Sequence, residues 1–361
     1  MKMKISLQVD SLAAPANLNP LGNLQGYLFS ASRGGINAEY AWQFDGGDGL
    51  GKVKFIDIEQ GWIMEHEDLE VKPFIYSGIN HPLFQDHGAG VLGIIMMKDN
   101  QLGGIGITPK ANGYVTSSWR PDKTHNIEDA IRYATSCLEF GDIILLEEQV
   151  YGNEPVTGYV PAEIKDDIYF AISDATSRGI IVVEPAGNGI IGSGNGINLD
   201  TIKPKGKNIL QKSSAHYRDS GAIMVAASTC KPPHTAIYGS NIGSRINCFA
   251  WGEEVLTAGN FPGSSNGSKN KYTDSFCGTS SAAAIVAGIA LAVQSIVEAS
   301  YHERLSPIQL RNILSDENYG TSSGRGLAED RIGVMPDLKK IIDQALPVYF
   351  GSPAKMKNSR V

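Results

Sequence analysis

The sequence lacks the cysteine spacing and the excess of positive charge that mark several protein classes. Its 361 residues include only four cysteines, and no two have CxxC spacing, which argues against a zinc site or a redox dithiol. We expect four buried thiols, with a Cys230–Cys248 disulfide as a minor alternative. Asp and Glu outnumber Lys and Arg by 38 to 31 and the net charge is −7, so no basic surface predicts binding to nucleic acid.

Long apolar segments and nucleotide-binding loops are also missing. The N-terminal stretch MKMKISLQVDSLAAPANLN has two lysines but no apolar region long enough for a secretory signal. No apolar run approaches the ~18 residues of a membrane span. We therefore expect no membrane association, and a protein that is cytoplasmic or exported by a non-classical route. The glycines of GNGIIGSGNG do not form a strand–GxGxxG–helix unit, which argues against dinucleotide binding.

The sequence does contain alternating strand and helix patterns. The runs VKFIDI, DIILLE and IIVVEP are nearly continuous apolar strands, and GAIMVAAS, RINCFAWG and EEVLTAG are further predicted strands. Helical patterns fall at residues 87–97, 127–140, 168–179 and 281–299. Strands of this kind separated by helices predict an α/β fold, with a mostly parallel sheet that is covered by helices on both faces. The length suits one large domain with extensions.

The tetrapeptide GTSS occurs twice, and the two copies differ in their C-terminal neighbours. The first, at 278–281, precedes a long helix of small apolar residues, which predicts that Ser280 lies at the buried N-terminus of that helix. Such a terminus offers unpaired N–H groups and a positive dipole end. The second, at 320–323, precedes a polar stretch, so we expect a loop over residues 320–324.

A serine nucleophile needs a base, and the base needs an orienting carboxylate. Of the seven histidines, only His87 begins a glycine-interrupted apolar helix, HGAGVLGII, in which Gly88 lets another backbone approach the imidazole. Asp57 closes the strand VKFIDI at the end where α/β sheets place their ligands. Glu59 competes with Asp57 for the orienting role, because it lies two residues further on the same strand face.

Four sequence blocks together resemble the signature blocks of the subtilisin-like serine peptidases. They are FIDIEQGW…HEDL, DHGAGVLGII, VVEPAGNG and CGTSSAAAIVAG, in the order Asp, His, Asn, Ser. The resemblance implies a three-layer sandwich and covers about residues 46–346. We expect an N-terminal extension over residues 1–45 that packs on this peptidase domain, and a C-terminal tail over residues 347–361 that frays from residue 351.

The resemblance also implies catalytic roles. Ser280 would be the nucleophile, His87 the general base and Asp57 the residue that orients the imidazole. Asn188 would donate its side-chain amide to the oxyanion, beside the backbone N–H of Ser280. The implied activity is that of a serine endopeptidase that acts on polypeptides through an acyl-enzyme, with no cofactor required. The sequence does not define the oligomeric state, and we expect a monomer.

The implied substrate site is the backbone after Ile144, where an extended substrate would add a strand. Glu147, Glu148 and Gln149 stand where many relatives carry small residues, and Gly187 joins them as a substrate-binding residue. One hypothesis is that a carboxylate at 147, 148 or 184 selects a basic P1 residue; the alternative is that these side chains point elsewhere.

Structural calcium and two other functions stay open. Asp68 and Asn100 fall near positions that the family uses for calcium, but two side chains do not supply six to eight oxygen ligands. Ala89, Gly90 and Ala284 replace common family residues without removing a catalytic atom. The alternatives to hydrolysis are a catalytically silent fold that serves as a binding protein, and transfer of the acyl group to an amine.

Overall fold

The computed structural model describes residues 19–70, 77–152, 158–190, 193–260 and 268–357. Within these ranges, twelve strands run in chain order as β1 Lys54–Glu59, β2 Asn112–Ser117, β3 Ile143–Leu146, β4 Gln149–Tyr151, β5 Tyr159–Pro161, β6 Ile181–Pro185, β7 Ile223–Ser228, β8 Cys248–Trp251, β9 Val255–Ala258, β10 Tyr272–Phe276, β11 Gly320–Ser322 and β12 Val334–Pro336. The α-helices are α1 Ala38–Ala41, α2 Gln85–Met96, α3 Ile127–Cys137, α4 Asp166–Ser177, α5 Thr279–Tyr301, α6 Pro307–Leu314, α7 Leu327–Asp330, α8 Leu338–Lys340 and α9 Leu346–Phe350.

The main sheet has eight strands in the order β11-β12-β8-β7-β6-β3-β1-β2. All neighbours are parallel except β11 and β12 at one edge. Helices α2 and α5 pack on one face, and α3 and α4 on the other, since the buried side chains divide into two clusters across the sheet. The predicted α/β sandwich with a mostly parallel sheet is confirmed.

Strand alternation decides which helix layer each side chain meets. In β3, Ile143 and Leu145 join the cluster that contains α2 and α5, whereas Ile144 and Leu146 join the cluster under α3 and α4. The same alternation puts Phe55 with the α2/α5 layer and Ile56 with the opposite one. Polar residues that follow the same parity at the strand ends therefore reach the α2/α5 layer.

Helix α5 runs through the interior of the fold, and it is longer and more apolar than expected from the sequence. Its 23 residues have a window of mean hydropathy 1.9, so by length and composition it is apolar enough to cross a membrane. The prediction that no apolar run approaches such a length was wrong. The window is 94% buried inside the fold, which is what the core helix of a globular domain shows. Small residues such as Ala282 and Gly288 allow this close packing.

Other details differ from the sequence predictions. The second GTSS copy is not a loop: its first three residues form the edge strand β11, which pairs with β12. Strand β9, predicted as one of the alternating strands, leaves the main sheet and forms a separate antiparallel pair with β10. All four cysteines are free; Cys230 and Cys248 are buried as thiols, but Cys277 is exposed and Cys137 only half-buried.

The C-terminal end of the described chain packs against residues 43–45. Phe44 forms an isolated antiparallel bridge with Met356, and the Lys357 N–H donates to the Gln43 carbonyl at 2.8 Å. The C-terminal segment is therefore tied down as far as residue 357, where fraying was expected. The domain boundaries at residues 45 and 346 stay predictions.

Candidate active site

The carboxyl ends of β1 and β3 and the N-terminal turns of α2 and α5 meet at one edge of the sheet. Asp57 and Glu59 share the parity of Phe55 and so face α2 and α5. Glu147 follows β3 with the same parity, and its N–H donates to the Ile58 carbonyl at 2.9 Å. This bond holds the end of β3 beside the last residues of β1. Three carboxyl groups thus converge on the helix layer.

His87 is paired with Glu59. Its Nδ1 hydrogen bonds Glu59 Oε2, and Glu59 is 2% exposed whereas 31% of the His87 side-chain surface is exposed. Gly88 allows this approach, because a Cβ there would lie 2.2 Å from the Gly61 carbonyl oxygen. Burial lowers the pKa of His87, but the charge of Glu59 and its hydrogen bond outweigh burial, so the pKa is raised above its ordinary value.

Asp57 does not hold the imidazole as expected. Its Oδ2 accepts a 2.7 Å hydrogen bond from Trp62 Nε1, and both side chains are fully buried. Glu59 lies one pleat nearer the end of β1, about 6–7 Å along the strand, and its longer side chain reaches the first turn of α2. Burial, then the nearby Glu59 charge, raises the pKa of Asp57 well above its usual range. The geometry therefore favours the competitor, Glu59.

Ser280 occupies the first turn of α5, in a site built around Gly278. This glycine has φ +90°, and a Cβ there would lie 2.9 Å from Asn188 Oδ1. Asn188 Oδ1 accepts from the Thr279 N–H at 2.9 Å and from Thr279 Oγ1 at 3.0 Å. These bonds fix the Asn188 amide next to the helix N-terminus and leave its Nδ2 as the donor end. The structure thus places the Asn188 amide against Thr279, the residue before Ser280, and its role as an oxyanion donor stays a prediction.

The aromatic ring of Phe276 connects the two helices of the site. It lies four residues before Ser280, and its centroid is 5.4 Å from that of His87. A Cβ on Gly90 would lie 2.7 Å from the same ring. Gly90 therefore leaves the space in which Phe276 packs between the His87 helix and the segment that leads to Ser280.

Glu148 and Glu184 are engaged in internal pairs. Glu148 accepts from the Ser118 hydroxyl and lies 3.3 Å from His125 Nε2. Glu184 is fully buried, with Oε1 3.9 Å from the guanidinium of Arg245. The hypothesis that either of them selects a basic P1 residue therefore loses its geometric basis.

Gln149 and Gly187 both lie next to Asn188. Gln149 Oε1 accepts the N–H of Asn188 at 3.0 Å, so Gln149 positions the backbone of the proposed oxyanion residue. Gly187 has φ +94°, and a Cβ there would lie 2.8 Å from the Tyr159 carbonyl oxygen. Strand β4, which begins at Gln149, pairs with β5 on one edge. Binding of substrate along this segment stays a prediction.

Asp68 has the features of one calcium ligand, but the described residues do not complete a site. Neither of its buried oxygens has a hydrogen bond of ordinary geometry, and burial raises its pKa to about 6. Asn100 Oδ1 already accepts the Leu102 N–H at 2.9 Å. No group of three or more His, Cys, Asp or Glu side chains suited to a metal occurs among the described residues. Calcium binding stays a prediction.

Sequence reasoning missed Trp62 and Thr279 and ranked Glu59 second. Thr279 is adjacent to Ser280, and its N–H and hydroxyl orient Asn188. Trp62 donates a hydrogen bond to Asp57 inside the fold, so Asp57 has a hydrogen-bond donor other than a histidine. One available signal for Glu59 was its place as the last residue before the polar segment Gln60-Gly61.

The comparisons with known proteins identify the family. The model of the subtilase family of peptidases matches residues 65–334, a span that includes His87, Asn188 and Ser280. The chain belongs to the subtilase family. It is a subtilisin-like serine peptidase by class.

Two solved structures show the same fold. A protease structure from Pseudoalteromonas arctica PAMC 21717 has a TM-score of 0.62 at 19% identity, with 89% of this chain and 97% of that chain covered. A cold-adapted subtilisin-like serine proteinase has a TM-score of 0.53 at 17% identity, with 81% and 89% covered. Among curated protein sequences, none matches this chain.

Proposed function

We propose that the protein is an endopeptidase that cleaves polypeptides through an acyl-enzyme on Ser280, with His87 as general base and Glu59 as orienting carboxylate. The observation that carries the proposal is the hydrogen bond from His87 Nδ1 to Glu59 at the edge of the sheet where α5 begins, with Ser280 in its first turn. Glu59 replaces Asp57 in the role that the sequence assigned.

His87 first acts as the base. The bond to Glu59 fixes Nδ1 as the protonated nitrogen and leaves Nε2 to take the proton of the Ser280 hydroxyl as that oxygen attacks the substrate carbonyl. The imidazolium that forms is stabilised by the Glu59 carboxylate. It then returns the proton to the departing amine, and water releases the acyl group by the same sequence of transfers.

Asn188 and the first turn of α5 stabilise the oxyanion. As the carbonyl becomes tetrahedral, its oxygen gains negative charge, which the Asn188 Nδ2 and the Ser280 N–H would bind. Thr279 holds the other end of the Asn188 amide, so the donor is oriented before the substrate arrives. The positive end of the α5 dipole acts in the same direction.

The duplicated tetrapeptide provides a matched test. We expect Ser280→Ala to abolish casein hydrolysis, whereas Ser322→Ala, the equivalent position of the second GTSS copy, retains it, because Ser322 is exposed on β11. Thermal melting of both variants checks their folding. Hydrolysis that survives in folded Ser280→Ala would reject Ser280 as the nucleophile. A folded wild-type protein that cleaves no polypeptide would favour the silent binding fold.

A further inference from the structure

Glu147 is a buried carboxyl group of the active site that the general peptidase mechanism does not use. It is 6% exposed, directly follows β3, and faces the α2/α5 layer. Neither of its carboxyl oxygens is held in a hydrogen bond of ordinary geometry. The hydroxyl that acts on this carboxyl group is that of Ser280, in the first turn of α5.

The charges around Glu147 oppose its ionisation. Asp57 and Glu59 face it from β1 and Glu148 follows it in the chain, and all three raise its pKa. Burial is the largest cause, and it places the pKa of Glu147 well above the usual range. The Ser280 hydroxyl acts in the opposite direction, and His87 lies on the neighbouring helix α2. A buried carboxylate with like charges around it is costly, so the neutral acid is favoured.

We propose, on the basis of the peptidase function above, that Glu147 is a positioning residue whose neutral carboxylic acid donates a hydrogen bond to the Ser280 hydroxyl oxygen and so directs the hydroxyl proton toward His87. A serine hydroxyl has one proton to donate and two lone pairs to accept with. When Glu147 donates, the serine proton is left for His87 Nε2. The required O–H exists only while Glu147 is protonated.

Ionisation of Glu147 reverses this arrangement. A carboxylate only accepts hydrogen bonds, so it would take the Ser280 proton itself and compete with His87. Reactivity of Ser280 should therefore rise with pH as His87 loses its proton and fall again as Glu147 ionises. A glutamine at this position has an N–H₂ donor with no titration, and a leucine has similar bulk with no donor.

The experiment measures the rate at which an organofluorophosphonate modifies Ser280, by intact mass, from pH 5 to pH 10. We expect the wild type to show a bell-shaped profile. Glu147→Gln should keep the wild-type maximum within about threefold and lose the alkaline decline. Glu147→Leu should react roughly tenfold more slowly, the loss expected for one hydrogen bond, also without an alkaline decline. Melting temperatures confirm that each variant is folded.

The outcomes separate this inference from the proposed function. If the wild type is not modified at any pH, the peptidase function fails. If the wild type reacts but Glu147→Gln keeps the same alkaline decline, or folded Glu147→Leu reacts at the wild-type rate, only the role of Glu147 fails. If Glu147→Leu does not fold, the comparison of Glu147→Gln with the wild type still decides. A collapse of Glu147→Gln to the rate of Ser280→Ala would show that the carboxylate is needed, and would also overturn the proposal.

Discussion

Exchanging each of two neighbouring carboxylates for its amide tests which one orients His87. Glu59→Gln keeps the size of the side chain but removes the charge that pairs with Nδ1. Asp57→Asn keeps an oxygen that accepts from Trp62 Nε1. The two residues lie on one face of β1 and are both buried, so each variant is the other's control for the loss of a carboxylate in this part of the core.

We expect a large loss for Glu59→Gln and a small one for Asp57→Asn. In a triad of this type, a carboxylate-to-amide exchange at the orienting residue lowers kcat by about 10⁴, because the imidazole loses its tautomer and its counter-charge. Asp57 contacts Trp62 rather than His87 and its raised pKa favours the neutral acid, so its amide should lower kcat by less than about tenfold.

The assay is casein hydrolysis as a function of pH, with thermal melting as the folding control. Because Glu59 raises the pKa of His87, the acid limb of wild-type activity should lie above pH ~6.5. In Glu59→Gln, the residual activity should have its acid limb at lower pH, and in Asp57→Asn the limb should stay near that of the wild type. A severe loss in Asp57→Asn with near-normal Glu59→Gln would refute this reasoning and restore the first expectation.

Three other features of the structure can be tested: the proposed oxyanion donor Asn188, the buried carboxyl groups of the site, and Asp68. Asn188→Ala should lower kcat by about 10²–10³ with little change in KM, measured on a peptide substrate, and a loss confined to KM would contradict the oxyanion role. The free energy of unfolding should fall as pH rises from about 4, because burial raises the pKa values of Asp57, Glu147 and Glu148, which therefore bind protons more tightly in the folded state. Urea unfolding at pH 5 and pH 8 measures this. Greater stability at pH 8 would contradict it. Asp68→Asn in EDTA should stabilise the protein at pH 8 by up to about 3 kcal/mol, because the folded pKa of about 6 lies above the ordinary 3.8 and the cost of ionisation is complete above pH 6. Urea unfolding of both proteins at pH 8 measures this, and a variant no more stable than the wild type would contradict the account.

The fold could be predicted well because its signals are local. The apolar strand runs and helix patterns identified most strands of the main sheet and its four packing helices. Strand β2, with the sequence NGYVTS, lacks a continuous apolar run and was missed. Strand β11 is three residues long and is defined by its pairing with β12. No local sequence pattern predicts this pairing.

The carboxylates of the site could be identified from the sequence, but their roles could not. Period-two alternation puts Asp57 and Glu59 on the same face, and the choice between them depends on how far β1 extends relative to the first turn of α2. Glu184 lies on the inner strand β6, and the guanidinium 3.9 Å from it belongs to Arg245, which is distant in the chain. Such pairings depend on tertiary structure, whereas Ser280, His87 and Asn188 each lie in a short pattern with a recognisable context.

The central claim is that Ser280 is the nucleophile of a peptidase, and the most direct test is to locate a trapped covalent adduct. The wild-type protein is treated with an organofluorophosphonate, digested and mapped by tandem mass spectrometry. The account predicts one adduct, on Ser280, with none in Ser280→Ala and an unchanged adduct in Ser322→Ala. An unmodified wild-type protein, or an adduct that persists in folded Ser280→Ala, would contradict it.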